Sequence, residues 1–254
     1  MNLICGINPV LEALKARRVT RLRVTARPGD NVRRIDEIVA LASRLGLAVE
    51  RVDSADLDRA ARGGVHQGVI AETAQARDYS VDELARATEG ASAPGTQAPL
   101  LVVLDGIEDP HNVGAILRTC DAAGATGVVR QERHSASLDG VVAKASAGAV
   151  AHVRIATVVN IARAIEALKD ANVWTIGLAG EASESYTEVD WTLPSAIVLG
   201  AEGTGLRRLV RDRCDRLVRL PMRGAVDSLN VSVAAGVVLY EAVRQRAGRS
   251  RKQA

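Results

Sequence analysis

Five consecutive apolar residues, Leu-Leu-Val-Val-Leu at positions 100–104, form the stretch that most constrains the fold of this chain. A strand with one face in solvent alternates apolar and polar residues, whereas a strand buried on both faces is apolar throughout. The run therefore predicts a central strand of a parallel sheet. Parallel neighbours need long crossover connections, usually helices, so the rest of the sequence should alternate between the two kinds of element.

Helix and strand patterns do alternate from this run onwards. Apolar residues at helical spacing, closed by Gly124, predict a helix over residues 112–123. Further helices are predicted over residues 138–146, 161–168 and 228–246, and further strands at 128–129, 173–176, 196–199 and 217–220. The sequence therefore predicts an α/β domain over residues 99–247, with a mostly parallel sheet covered on both faces.

The first part of the chain predicts a second, smaller α/β domain over residues 1–74. A helix is expected to begin at Asn8-Pro9, because Asn can cap a helix and Pro suits its first turn. Strands are predicted at 22–24, 47–49 and 69–71, with helices over 35–45 and after Ser54. Residues 75–98 are small and polar and predict a linker with a short helix at 81–86. Residues 248–254 form a basic tail.

The overall composition is that of a globular protein with a mildly basic surface. Apolar residues make up 47% of the chain, and the formal net charge is +3 with an isoelectric point near 9.0. This balance permits nucleic-acid binding without establishing it. Arg246, Arg249, Arg251 and Lys252 are either a solvated, frayed end of the chain or a local basic contact, and the sequence favours neither.

Several classes of protein are disfavoured. Cys5, Cys120 and Cys214 lie far apart with no Cys-x-x-Cys or Cys/His spacing, so we expect reduced thiols and no metal site. We find no apolar run long enough for a transmembrane helix and no signal-peptide pattern at the N-terminus. The expected location is the cytoplasm, without membrane attachment.

Three loops stand out because each follows a predicted strand, and ligands of open α/β sheets bind outside the carboxyl ends of the strands. The first spans residues 104–119 and carries Asn112 and Arg118. Asn112 is either a helix cap or a ligand contact. Taken alone, Arg118 is more simply explained as a solvated residue on the face of the helix.

The second loop, residues 198–206, places glycines at positions 200, 203 and 205. This spacing differs from the Gly-x-Gly-x-x-Gly of dinucleotide sites and lacks the Gly-Lys-Ser/Thr ending of a phosphate-binding loop. Glu202 would also repel a pyrophosphate, so a cation or a neutral polar group is a better ligand. The alternative is a tight turn without a ligand.

The third loop, residues 220–232, leads into the last predicted helix and carries Ser228 and Asn230. These two polar residues bracket Leu229 at the expected start of the helix. They either satisfy its first free N–H groups or form part of a ligand site.

Together the three loops resemble the SpoU family of RNA ribose 2′-O-methyltransferases, which belongs to the knotted SPOUT class. The matching segments are Asp109-Pro-His-Asn-Val-Gly-Ala-Ile-Leu-Arg118, Leu199-Gly-Ala-Glu-Gly-Thr-Gly-Leu206 and Ser228-Leu-Asn-Val-Ser-Val-Ala234. The N-terminal block resembles the RNA-binding domain, similar to ribosomal protein L30e, that many of these enzymes carry. Residues 5–13 and 66–71 are similar to the subgroup that methylates a guanosine ribose in 23S rRNA.

The resemblance implies a catalytic domain with a deep C-terminal trefoil knot, which general fold rules would not predict. It also implies a homodimer with the active site near the interface, S-adenosylmethionine as cofactor, and 23S rRNA or a large-subunit precursor as partner. The matching cofactor-binding positions are Gly180, Leu199, Gly200, Glu202, Gly203, Leu220, Met222, Ser228 and Leu229. The positions associated with substrate binding and catalysis are Asn112, Arg118, Glu202, Ser228 and Asn230.

One segment departs from the family pattern. Many relatives carry Glu shortly after the segment matching Ser146-Ala-Gly-Ala149, where this chain has Val150-Ala151-His152. The proton acceptor is also unassigned, because a guanidinium with a pKa above about 12 makes Arg118 a poor base. We expect Arg118 to bind a nucleotide phosphate and to stabilise developing charge.

Three alternatives compete with this interpretation. The same family includes enzymes that methylate transfer RNA. A non-catalytic RNA-binding or assembly protein would keep the fold, although the complete set of polar site residues argues against it. A nicotinamide-dependent oxidoreductase is disfavoured by the missing Gly-x-Gly-x-x-Gly motif.

Overall fold

The computed structural model of the chain describes residues 2–27, 29–73, 77–86, 98–138 and 140–253. The strands are β1 Asn2–Cys5, β2 Val19–Thr25, β3 Val49–Val52, β4 Val69–Thr73, β5 Leu100–Asp105, β6 Gly127–Gln131, β7 Ile155–Val158, β8 Trp174–Leu178, β9 Glu184–Ser185, β10 Ser195–Gly200 and β11 Arg216–Arg219. The helices are α1 Ile7–Lys15, α2 Val32–Arg44, α3 Ser54–Ala61, α4 Val81–Ala85, α5 Pro110–Ala122, α6 Gly140–Ala145, α7 Ile161–Asp170, α8 Arg208–Arg213 and α9 Val231–Gln253. Within these ranges no helix is both long enough and apolar enough to cross a bilayer.

The chain forms two compact units. The first unit combines Met1–Arg77 with Ser137–His152. Its four strands lie in the order β1-β4-β2-β3, with β4 antiparallel to both β1 and β2, and β3 parallel to β2. Buried residues of α1 and α2, including Leu14, Ile35 and Ile38, cover this sheet.

The segment 137–152 packs with the first unit, although the sequence placed it in the domain over residues 99–247. Ala143 of α6 lies in the core cluster of the first unit. Arg18 donates from Nη1 to the carbonyl oxygen of Val150 at 3.1 Å, and His152 lies 3.1 Å from the carboxylate of Glu12. The first compact unit therefore includes a segment that a division of the chain at one linker does not anticipate.

The second unit combines Asp78–Ala136 with Val153–Ala254 and contains a seven-stranded sheet in the order β7-β6-β5-β10-β8-β11-β9. Every neighbouring pair is parallel. The apolar run 100–104 lies in β5, between β6 and β10, and all six residues of β5 are buried. The predicted parallel sheet with a buried central strand is confirmed. Strands β7 and β9 add to the set that the sequence predicted.

Helices cover both faces of this sheet. Leu101 and Val103 share a core cluster with Ile165 and Leu168 of α7, while α5 and α9 pack against each other and against β6 and β10. The predicted linker over 75–98 includes α4, whose Leu84 is fully buried against the core of the second unit. Residues 74–76 and 87–97 of that linker lie outside the described residues.

Two helix starts and one strand differ from the sequence predictions, each by a few residues. Helix α1 begins at Ile7, and the side-chain oxygen of Asn8 accepts a hydrogen bond from Arg34 instead of capping the helix. Helix α5 begins at Pro110, because Asp109 accepts from the backbone N–H of His111. The strand expected at 47–49 lies at Val49–Val52.

The last helix starts and ends later than predicted. It begins at Val231, where Asn230 instead of Ser228 accepts from the backbone N–H of Ser232 at 2.9 Å. Its backbone continues to Gln253, through the region 248–254 that the sequence described as a basic tail. Arg246, grouped with that basic end, is buried, which rules out for this residue the alternative of a solvated, frayed end.

Candidate functional site

A cavity of about 630 Å³ lies at the carboxyl ends of β8, β10 and β11, among the loops that leave these strands. Gly180 lies on the first loop, residues 200–205 form the second, and residues 220–230 form the third. All nine residues expected to bind a cofactor line this cavity: Gly180, Leu199, Gly200, Glu202, Gly203, Leu220, Met222, Ser228 and Leu229. The structure thus brings together positions that are up to 49 residues apart in sequence, from 180 to 229.

The second loop turns back tightly on the end of β10. Gly205 donates its backbone N–H to the carbonyl oxygen of Ala201 at 2.9 Å. A Cβ on Gly200 would lie 2.1 Å from the carbonyl carbon of Gly205, so no other residue fits at position 200. Gly203 and Gly205 have φ angles of +78° and +68°, which favour glycine. Glycines therefore create the wrap that the sequence suggested, and this wrap presents Glu202 at the cavity.

Three side chains from three separate segments of the chain form one polar network, in which Glu202 and Asn230 line the cavity and Asn112 lies in α5. Glu202 accepts from the side-chain amide of Asn112 at 2.9 Å and from that of Asn230 at 2.7 Å, both at Oε1. Asn230 also donates to Oδ1 of Asn112 at 2.9 Å. Three of the five predicted catalytic residues thus contact one another, and they were found from separate motifs.

The cap of α9 orients this network. Oδ1 of Asn230 accepts from the backbone N–H and the hydroxyl of Ser232, at 2.9 and 2.6 Å. Its amide nitrogen must therefore point towards Glu202 and Asn112. Within the described residues, Oε2 of Glu202 has no hydrogen-bond partner, so the carboxylate keeps one oxygen for a ligand. Asn230 serves both as a helix cap and in the site, two roles that the sequence offered as alternatives.

Ser228 lies at the cavity but outside the network. Its hydroxyl is 3.1 Å from a carboxylate oxygen of Asp227, which also lines the cavity. Glu181 and Arg219 are further lining residues that the sequence reasoning missed. Asp227 and Glu181 each adjoin a predicted residue, and that adjacency was the available signal. Because Glu181 pairs with Arg211, the lining carboxylates of Glu202 and Asp227 outnumber the guanidinium of Arg219, which favours a ligand with cationic character.

Arg118 is separate from this group. It lies on α5, two turns beyond Asn112, and its side chain is exposed and does not line the cavity. The side chain of Arg118 makes no hydrogen bond or ion pair with other residues in the described ranges. Its expected role is therefore tied to a substrate that approaches from solvent rather than to the cavity.

The cysteines do not form a reactive or metal-binding centre in the described part of the chain. All three are free. Burial, reinforced by Asp121 for Cys120 and by Asp215 for Cys214, raises the pKa of both thiols to about 12. They stay protonated near neutral pH and are poor nucleophiles. The described residues also bring no group of three or more His, Cys, Asp or Glu side chains together as a metal site.

Two family profiles match the chain. The profile described as the SpoU rRNA Methylase family matches residues 99–240, which include the cavity and the polar network. The profile described as RNA 2'-O ribose methyltransferase substrate binding matches residues 3–79. The two matches fall on the two blocks that the sequence separated.

Individual proteins are similar over nearly the whole chain. The 23S rRNA (guanosine-2'-O-)-methyltransferase RlmB of Yersinia pestis is 41% identical, over 96% of this chain and 97% of that protein. The protein of the same name from Pseudomonas syringae is 43% identical, over 97% and 96%. The crystal structure of the SpoU methyltransferase AviRb from Streptomyces viridochromogenes with the cofactor AdoMet aligns with a TM-score of 0.76, at 26% identity over 96% of this chain and 90% of that one.

Proposed function

The chain belongs to the SpoU rRNA methylase family, and from this premise we propose that it transfers a methyl group from S-adenosylmethionine to a guanosine 2′-hydroxyl in 23S rRNA. The observation that carries the proposal is the network of Asn112, Glu202 and Asn230 at the rim of the cavity. Each residue comes from a different family segment. Relatives of this chain named as 23S rRNA guanosine methyltransferases support the choice of substrate.

The cavity suits S-adenosylmethionine in size and in charge. Its volume of about 630 Å³ lies within the range of about 300–1,000 Å³ that is usual for small-molecule sites. Backbone groups of the loops at Gly180, Gly200 and Leu220 would hold the polar parts of the cofactor. The carboxylates of Glu202 and Asp227 would favour its positive charge. When bound, this cofactor supplies a methyl group that is already activated by a sulfonium.

The residues of the site then have mainly a positioning task. Transfer moves the methyl group from sulfur to the ribose 2′-oxygen, leaves a neutral thioether, and releases the hydroxyl proton. Asn112 and Asn230 hold Glu202 in one orientation, and its remaining oxygen is available to the nucleotide or the cofactor. Arg118, exposed on α5, would bind a substrate phosphate and stabilise the charge that develops as the proton leaves.

The remaining parts of the proposal concern partners. Residues 1–74 would form the L30e-like domain that docks the RNA, as the substrate-binding profile over residues 3–79 suggests. A homodimer would bury the exposed apolar residues Val233, Val237 and Tyr240, which recur along one face of α9. The trefoil knot stays a prediction of the resemblance, and the cytoplasmic location stays a prediction from the composition and the sequence patterns.

The direct test is methyl transfer from labelled S-adenosylmethionine to total RNA, followed by mapping of ribose methylation. We expect the purified protein to bind S-adenosylmethionine in calorimetry and to label one guanosine ribose in 23S rRNA. Label confined to transfer RNA would replace the proposed substrate. Binding of NAD with no response to S-adenosylmethionine would refute the proposal altogether.

Arg118→Ala serves as the variant control in the same assay. If Arg118 binds substrate phosphate, this change abolishes transfer while cofactor affinity stays at the wild-type value. Arg118→Lys should also be poor, since a point charge does not reproduce the planar guanidinium. If Arg118 has no such role, Arg118→Ala at this exposed position should cost about 0.5 kcal/mol of stability or less and should leave turnover unchanged.

A further inference from the structure

Asp105 is a buried carboxylate at the point where the central strand β5 leaves the sheet. Its side chain is 0% exposed. Its Oδ2 accepts from the backbone N–H of Arg207 at 2.9 Å, and its Oδ1 accepts from Nε of Arg207 at 2.7 Å. A buried charge costs several kcal/mol unless it is paired and hydrogen-bonded. The position of Arg207 is therefore strongly coupled to that of Asp105.

Arg207 lies where the second loop, residues 200–206 and hereafter called the glycine loop, ends. It is the first residue after the segment 200–206 that wraps the cavity, and it precedes α8. Its guanidinium also donates to Oε1 of Gln131 at 2.8 Å. Gln131 closes β6, and its amide nitrogen lies 3.4 Å from the carbonyl oxygen of Val159, just beyond β7. A chain of side chains thus connects the loop to the ends of three strands.

The glycine loop has two anchors, and Glu202 lies between them. The first anchor is Gly200 in β10, which has no space for a side chain. The second is the contact of Arg207 with Asp105. Since glycines at positions 203 and 205 leave the backbone free to adopt many conformations, the loop needs both anchors to hold Glu202 beside Asn112 and Asn230.

We propose that Asp105 and Arg207 are positioning residues for the methyl-transfer site, holding the glycine loop in the conformation that lines the cavity and presents Glu202. The inference rests on the proposed function for its activity readout. Neither residue lines the cavity, so both act through the loop. Loss of the contact lets the loop open and weakens both cofactor binding and the Glu202 network.

Asp215 provides a matched control at the opposite ends of the strands. Its carboxylate accepts from the backbone N–H of Thr175 at 2.9 Å and pairs with Lys169 at 2.8 Å. Like Asp105, it receives one backbone N–H and one cationic side chain, and it also accepts from the hydroxyl of Thr175 at 2.7 Å. Unlike Asp105, it does not contact Arg207 at the end of the glycine loop. Asp105→Asn and Asp215→Asn therefore remove similar interactions at two places.

The experiment compares these two variants with the wild type in the full chain. We expect Asp105→Asn to weaken S-adenosylmethionine binding about tenfold and to slow single-turnover methylation by at least as much, consistent with loss of one charged hydrogen-bond pair. Asp215→Asn should lower the melting temperature without changing either quantity. Because Arg207 is half exposed, Arg207→Gln keeps the test open if Asp105→Asn fails to fold.

Limited trypsin digestion supplies a readout that does not depend on the proposed chemistry. Cleavage after Arg208, a site that all these proteins keep, should be faster in Asp105→Asn and Arg207→Gln than in the wild type and in Asp215→Asn. Equal cleavage rates and wild-type cofactor affinity in the Asp105 and Arg207 variants would overturn the positioning role. If the wild type binds no S-adenosylmethionine but the cleavage difference persists, the proposed function fails while the loop anchor stands.

Discussion

At the amino ends of the strands in the second unit, here called the closed edge, the buried side chain of Arg246 from α9 binds the segments that lead into two strands. Its guanidinium donates to the carbonyl oxygens of Ala98, Pro99, Trp191 and Leu193, at 2.5–3.2 Å. The first two carbonyls precede β5 and the other two precede β10. Burial lowers the pKa of this guanidinium, yet arginine remains charged at neutral pH because its ordinary value is so high.

At the carboxyl ends of the strands, here called the open edge, the same sheet faces the cavity. Between Glu202 and Gly205 the glycine loop has no apolar side chain, and these residues are exposed. Helix α9 connects the two edges, because Asn230 caps it beside the cavity and Arg246 lies about 24 Å further along at about 1.5 Å per residue. At the closed edge the polar side chain of Arg246 bonds to other parts of the chain, whereas at the open edge polar groups that line the cavity are available to a ligand.

The largest effect should come from Gly200→Ala at the open edge. The added Cβ would lie within 2.4 Å of three backbone atoms of Gly205 and Leu206, and backbone atoms cannot move aside as a flexible side chain can. We expect a loss of about 3 kcal/mol in the free energy of unfolding, together with loss of S-adenosylmethionine binding. Urea denaturation and calorimetry measure the two quantities.

Gly203→Ala is the control for that change. No atom lies within 4 Å of a Cβ built at Gly203, so only the positive φ opposes the substitution, at about 1 kcal/mol. If both variants lost stability equally, the close packing of Gly200 would not be the reason for its glycine. The distinction between a crowded and a merely strained position in the loop would then collapse.

The next largest effect should be Arg246→Ala at the closed edge. Four carbonyl oxygens would lose a charged donor, which we expect to cost about 2 kcal/mol and to lower the melting temperature by about 5 °C. Methyl transfer at room temperature should be unchanged, because Arg246 lies at the far end of α9 from the cavity. A variant with normal stability but impaired transfer would contradict the assignment of these two edges. Arg246→Lys should be intermediate, since an ammonium cannot reach four carbonyl groups at once.

The sequence predicted the parallel sheet well because burial is written directly into the composition of its strands. The apolar run of β5 and the repeated crossover helices leave few other arrangements. Helix starts were less accurate because two neighbouring residues often cap equally well. Asp109 caps α5, whereas Asn112 was the expected residue, and of Ser228 and Asn230, which the sequence offered together, Asn230 caps α9. Asn112 does not cap α5, because its side chain donates to Glu202, which lies far away in the sequence.

Long-range polar contacts account for most of what the sequence could not predict. Arg246 resembled part of a basic tail, since its carbonyl partners belong to segments 53–148 residues away. Asp105 and Arg207 are 102 residues apart, so no local pattern links them. The segment 137–152 was placed with its sequence neighbours. Gly148 shows why it packs in the first unit, because a Cβ there would lie 2.5 Å from the Cβ of Glu12.

The smallest effect should be the response of Asp215 to acid. It tests whether this carboxylate stabilises the amino ends of the strands through its charge or only through its shape. Burial raises the pKa of this carboxyl, but hydrogen bonds from Lys169 and Thr175 outweigh burial and leave it lowered. A lowered folded-state pKa contributes stability above the unfolded value of about 3.9, and that contribution disappears as the pH falls through the folded value. Asp215→Asn should therefore lose about 1 kcal/mol at pH 7 and show a shallower loss of stability below about pH 4 than the wild type. Urea titrations at several pH values measure this difference. A variant curve parallel to that of the wild type would mean that the carboxylate shapes the edge without contributing through its charge.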